Sequence, residues 1–239
     1  MSHKAKKPVL EHIVELRRRL LLSLLAIMVG SIIGYNKRFT VITWLIAPLK
    51  QKLYYTNPAG GFDFILKVSL SVGMLLALPY VLYHLISFIK PAMPRELNQS
   101  IAIIIFLSVM SALLGVCFAY YISLPVALSF LGEFATNNIE SLITAQEYLD
   151  FALIYIGVFA LFFQAPILFY VAGLITPLTV QKLMKYQKIV ILICFIVAAI
   201  ATPTPDPFNQ ILMAVPMIAL YQVSIAAVWL ARRQVSTEV

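Results

Sequence analysis

Six apolar runs with short polar breaks between them leave this chain one kind of solvent. They cover residues 20–35, 64–89, 101–123, 151–174, 189–202 and 208–230. Each is judged against the roughly 20 residues a helix needs to cross about 30 Å of hydrocarbon. The runs are continuous rather than alternating, which argues against barrel strands. Too little chain remains between them for a soluble domain, so residues 1–239 read as a single membrane domain. Composition agrees: 62% of residues are hydrophobic and 12% charged, and the mean hydropathy is +0.92. Soluble domains hold about 45–50% apolar and 25% charged residues. A soluble enzyme, a disordered chain and a secreted disulfide module are thereby set aside. Cys117 and Cys194 lie inside apolar runs and read as small buried hydrophobes.

The 18 Lys and Arg residues against 10 Asp and Glu give a net charge of +8. In a chain of spans this excess marks cytoplasmic loops rather than a nucleic-acid partner. The N-terminus is basic and then apolar, but no small-residue cleavage site follows, so the first run reads as a retained span. With the N-terminus in the cytoplasm, all basic residues but Lys37, Arg38, Lys50, Lys52 and Lys67 fall inside. An outer loop over 124–150 holds no Lys or Arg but carries Glu133, Glu140, Glu147 and Asp150. The expected architecture is therefore an all-α polytopic membrane protein with six transmembrane helices and both termini cytoplasmic. Lys188 and Arg232 must share a side, so the chain crosses twice between them, turning at Pro203, Pro205 and Pro207. The fifth run then has about 14 apolar residues, near 21 Å, and such a short hairpin would thin the bilayer, tilt its neighbours or pull polar turn residues below the surface.

Enzyme signals are missing: there is no H-E-x-x-H, G-x-S-x-G or P-loop. His3, His12 and His84 are scattered, so we expect no enzyme, no metal site and no cofactor. His84 reads as a polar residue at the inner end of the second span. Gly30-x-x-x-Gly34 is a helix-contact motif. Ahead of the first span, Val9, Leu10, Ile13, Leu16 and Leu20 recur at helical spacing and predict an amphipathic helix that lies at the inner surface and runs into the span. Glu15 in this stretch has two readings: an ion pair one turn on with Arg18 or Arg19, or an acceptor for a cationic ligand. Carboxylates are scarce on this face, which offers Glu11, Glu15, Glu96 and Glu238. In the inner loop over 87–96, Pro91 and Pro94 stiffen the chain. Glu96 there reads as a helix N-terminal acid or as a second acceptor. Gln164, Asp206, Asn209, Gln210 and Gln222 are polar groups in or beside hydrocarbon, as helix glue or as a partner site. Pro166 and Pro216 are positioned to bend their helices. The rival class is a secondary transporter of a small solute. It needs broken helices and midplane charges in two repeated halves, whereas no repeat is visible and only Lys67 and Asp206 are candidates.

Together these stretches resemble the TatC family, the multi-spanning component of the twin-arginine protein translocase. The resemblance rests on EHIVELRRRL at 11–20, IAPLKQKL at 46–53, LPYVLYHLISFIKPAMPRE at 78–96 and ATPTPDPFNQILMAVPMIALYQ at 201–222, and it covers nearly the whole chain. It implies a receptor for twin-arginine signal peptides and a core subunit exporting folded proteins. It further implies transport driven by the proton-motive force, a place in the cytoplasmic (inner) membrane, and single-span partners of the TatA and TatB kind. We also expect self-association within a larger complex and contact with lipid, but not with nucleic acid. The resemblance assigns Glu15 and Glu96 to the signal-binding site, with Arg17, Phe88 and Pro91 alongside. It maps Gln164 to a polar position that contacts a partner helix, Pro48 to an outer-loop proline, and Asp206 with Gln210 to a T-P-x-D-x-x-x-Q motif. Two departures stand out. The inner loop is one residue shorter before Glu96 than the common pattern, and Gln164 stands where many members carry Glu, so no titrating role is expected there.

Overall fold

The structure, a computed structural model, describes residues 9–49, 51–89, 101–132, 143–175, 178–202 and 206–237. Among these the chain is helical and contains no strand. The helices are α1 (Val9–Asn36), α2 (Arg38–Ile46), α3 (Gly60–Ile89), α4 (Ile101–Phe118), α5 (Leu124–Gly132), α6 (Ala145–Phe162), α7 (Ala165–Ile175), α8 (Val180–Ala201) and α9 (Pro207–Thr237). Gly60–Leu85, Ile101–Gly132, Ala145–Leu174, Val180–Ala201 and Pro207–Leu230 are each long and apolar enough to cross a membrane. A sixth crossing exists if Val14–Asn36 and Arg38–Leu49, bent by 82° at one break, form one span. The break is at Lys37, between Asn36 and Arg38, where three polar side chains follow an apolar run.

The amphipathic stretch continues into the first span: α1 runs unbroken from Val9, because its apolar stripe continues in phase into the greasy run. Other boundaries differ from those expected. The fifth span is not short as a helix. It begins at Val180, capped by the Thr179 hydroxyl, and its 22 residues reach about 33 Å. Only its apolar part is short, and Lys182, Lys185 and Lys188 lie in the added turns, where long side chains reach the interface. The described parts of the outer loop over 124–150 are helical at 124–132 and 145–150. A five-residue π segment over 119–123 carries α4 into α5, and α6 starts at Ala145. There Thr144 accepts a bond from the Glu147 amide at 3.2 Å and its hydroxyl meets the Glu147 carboxylate at 2.8 Å, a reciprocal N-terminal cap.

Small residues set the helix contacts, as they must where lipid removes the hydrophobic drive for association. Gly30 and Gly34 lie directly against α3: a Cβ on Gly30 would sit 2.9 Å from the Gly73 carbonyl, and one on Gly34 2.8 Å from that of Ser69. Gly115 brings α4 equally close to the Phe159 carbonyl of α6. The core gathers Leu124, Tyr155, Phe159, Cys194, Met213 and Met217 between α5, α6, α8 and α9. Cys194 is fully buried as expected, but Cys117 is exposed on the outside of the bundle, because α4 turns its other face, with Ala112 and Gly115, inward.

Carbonyls at a helix C-terminus run short of backbone donors; at the end of α2 the Trp44 carbonyl accepts from the Ala47 amide, and side chains add to this. Tyr148 donates to the Leu45 carbonyl at 2.7 Å, and Tyr120 donates to that of Trp44. We expect Tyr148→Phe to lower the unfolding midpoint in detergent, by about 1–3 kcal/mol for a buried acceptor left unpaired. An unchanged midpoint would show that another group caps this turn.

Candidate functional site

At the end of the bundle where α1 begins, Glu15 lies one turn before Arg19. The guanidinium donates to one Glu15 oxygen through Nη2 at 2.6 Å and Nε at 3.2 Å. Its Nη1 donates to the His84 carbonyl of α3 at 3.1 Å. One arginine therefore ties α1 to α3 while occupying the scarce carboxylate of this face. The pair is partly open, with side-chain exposures of 20% for Arg19 and 29% for Glu15. Arg17 and Arg18 are exposed beside it. The His84 ring stands edge-on to Tyr80 at 4.4 Å and to Tyr83 at 5.4 Å. Both its nitrogens are enclosed without a hydrogen-bond partner among the described residues. Of the two readings of Glu15, the intrahelical partner is Arg19 rather than Arg18. The contact to His84 was invisible in sequence, since it joins residues 65 apart. Phe88 lies in the last turn of α3, while Pro91 and Glu96 fall outside the described residues.

The other expected polar residues are not gathered at this end. Gln164 is 7% exposed and donates to the Ser108 carbonyl at 3.0 Å. It lies at the break between α6 and α7, where Pro166 supplies no amide donor and Ser111 donates to the Phe163 carbonyl. Asp206 caps α9: it accepts from the Asn209 amide at 2.7 Å and from its side chain at 3.0 Å, and Pro207 follows as the first helical residue. Gln210 donates to the Phe195 carbonyl at 3.0 Å, joining α9 to α8. Pro48 sits within the single 3-10 turn over 47–49 that closes α2.

One cluster at the opposite end was missed. Lys67 of α3 donates to both Asp150 oxygens, at 2.7 and 2.9 Å, and lies 3.4 Å from Asp63. The Asp63–Lys67 spacing of four was a readable signal. The link to α6 was not, since Asp150 is 83 residues away.

Residues 11–216 match the family described as Sec-independent protein translocase protein (TatC). A TatC protein of Carboxydothermus hydrogenoformans is 35% identical over 222 residues, covering 90% of either chain. One from Aquifex aeolicus is 33% identical over 95% of this chain and 97% of its own. The crystal structure of a twin-arginine translocase receptor TatC superposes with a TM-score of 0.84 at 33% identity, covering 92% of this chain and 99% of that one.

Proposed function

The chain belongs to the TatC family of Sec-independent protein translocase proteins, and on that premise we propose that the α1 end of the bundle receives the paired arginines of an export signal. It is a multi-pass membrane protein with a role in protein transport, and a solute-transporter reading is not favoured. In the proposed mechanism, Glu15 and Glu96 are the acceptors, Arg17, Phe88 and Pro91 border them, and the site faces the cytoplasm from the inner membrane. Single-span partners of the TatA and TatB kind and further copies of this chain complete the complex. The proton-motive force drives passage, and the complex hydrolyses no ATP. Gln164, Pro48, Asp206 and Gln210 act by holding helix ends and turns, with Gln164 nearest to a partner helix.

The observation that carries this reading is that Glu15 already holds a guanidinium. A carboxylate matches that fork better than it matches an ammonium. A partly exposed pair one turn apart contributes only about 0.3–0.5 kcal/mol. A charge-assisted bond to an incoming arginine contributes about 1.5–3 kcal/mol. The signal arginine competes with Arg19 for Glu15, and Arg19 can yield the carboxylate while keeping the His84 carbonyl.

The test is a photoreactive residue at Leu16, beside an intact Glu15. A precursor with a twin-arginine signal is expected to crosslink there, and its twin-lysine counterpart to crosslink at least tenfold less. Equal crosslinking would overturn the assignment.

A further inference from the structure

Below the Lys67 cluster, α3 and α6 part and leave an apolar recess of about 420 Å³, lined by Val68, Leu75, Leu78, Ile156, Gly157 and Leu161 among others. The ion pair spans its two walls at one end: Lys67 directly precedes Val68, and Asp150 lies one turn before Leu153, a further lining residue. We infer that this recess holds one acyl chain of a zwitterionic phospholipid with a primary ammonium head group, whose head lies on the Lys67–Asp63–Asp150 cluster.

Three observations converge on that occupant. The first is Gly157. Gly30, Gly34, Gly60, Gly73 and Gly115 each have an atom within 3.0 Å of where a Cβ would stand, whereas Gly157, which lines the recess, has nothing within 4 Å, as does Gly132 at the end of α5. Glycine is a poor residue for a helix interior, and this one permits no close contact within the chain, so it keeps room for something from outside. The second is depth. From Val68 to Leu78 the helix rises about 15 Å, which is one leaflet of a hydrocarbon core about 30 Å thick. The third is charge. One lysine between two aspartates offers a cation to a phosphate and an excess carboxylate to an ammonium. A quaternary ammonium has no N–H to donate, and an anionic glycerol head brings no cation. Inside the recess Ser71 makes no demand on a ligand, since its hydroxyl bonds the Lys67 carbonyl at 2.7 Å.

The inference rests on the membrane fold alone. It is tested by native mass spectrometry of the full chain in detergent, titrated with dioleoyl phosphatidylethanolamine, phosphatidylcholine or phosphatidylglycerol. Phosphatidylethanolamine is expected to be retained at least fivefold over either rival. Gly157→Phe, which fills the recess, should cut that retention about tenfold, while Gly157→Ala preserves it. Asp150→Asn should bring the ethanolamine-to-choline ratio near one. Gly157→Leu provides a second filling variant if the phenylalanine lowers the thermal midpoint. Equal retention of the three lipids overturns the inference, as does unchanged retention in both filling variants. A single-span partner that is displaced by Gly157→Phe while lipid retention holds would assign the recess to a helix and overturn it equally.

Discussion

Exchanging glycine for alanine is expected to have opposite effects at two positions of this protein. At Gly73 a Cβ would lie 2.6 Å from the Ile27 carbonyl and 2.7 Å from the Ser31 amide. Both are backbone atoms of α1 and have no rotamer to escape into, so the helices must separate. Overpacking of this kind costs about 1–3 kcal/mol, and Gly73→Leu should exceed it. At Gly157 the added methyl meets nothing, and alanine is favoured over glycine in a helix by about 0.5–1 kcal/mol. Gly73→Ala should therefore lower, and Gly157→Ala raise, the unfolding midpoint in detergent. A raised midpoint for Gly73→Ala would mean that α1 and α3 are not seated as described, and a lowered one for Gly157→Ala that this position is not open. The first variant should also impair signal binding, because α1 carries Glu15 and Arg19 while α3 carries the His84 carbonyl.

Removing the carboxylate itself should have the larger functional effect. Glu15→Ala is expected to weaken binding of a twin-arginine peptide by about 10- to 100-fold. That is the loss of one charge-assisted contact of about 1.5–3 kcal/mol at 1.4 kcal/mol per decade. The double variant Glu15→Ala with Glu96→Ala should abolish crosslinking. Folding should survive Glu15→Ala, since the pair with Arg19 is partly exposed and contributes only a few tenths of a kcal/mol. Arg19→Ala tests the exchange step from the other side. It deletes a weak competitor, so it should tighten peptide binding about twofold. Normal peptide binding by the double variant would remove the two acids from the site. Weaker binding by Arg19→Ala would show that Arg19 builds the acceptor rather than occupying it.

Much of this could be read along the chain. The runs over 64–89, 101–123, 151–174 and 208–230 each fall within helices of membrane length, because hydropathy sums over neighbours in sequence. Gly30-x-x-x-Gly34 makes the helix contact its spacing implies. The Thr144 and Asp206 caps lie where their local patterns permit. The boundary at Val180 moved because basic side chains extend a helix past its apolar stretch as readily as they end it; within 124–150, α5 prolongs the apolar run of α4 without a charged residue, and α6 begins at the Thr144 cap ahead of Glu147 and Asp150.

The sequence alone determined that this chain lives in lipid as a bundle of helices, since local periodicity and polarity suffice for that, and its quoted stretches carried the resemblance to a family. The tertiary structure decided that Arg19 fills Glu15 while reaching His84, that Tyr120 and Tyr148 close α2, that Lys67 clamps α6, and that Gly157 lines an apolar recess. Each of these depends on which helices stand side by side. In lipid that choice is made by close packing and hydrogen bonds between distant segments rather than by apolar burial, so it leaves no period along the chain.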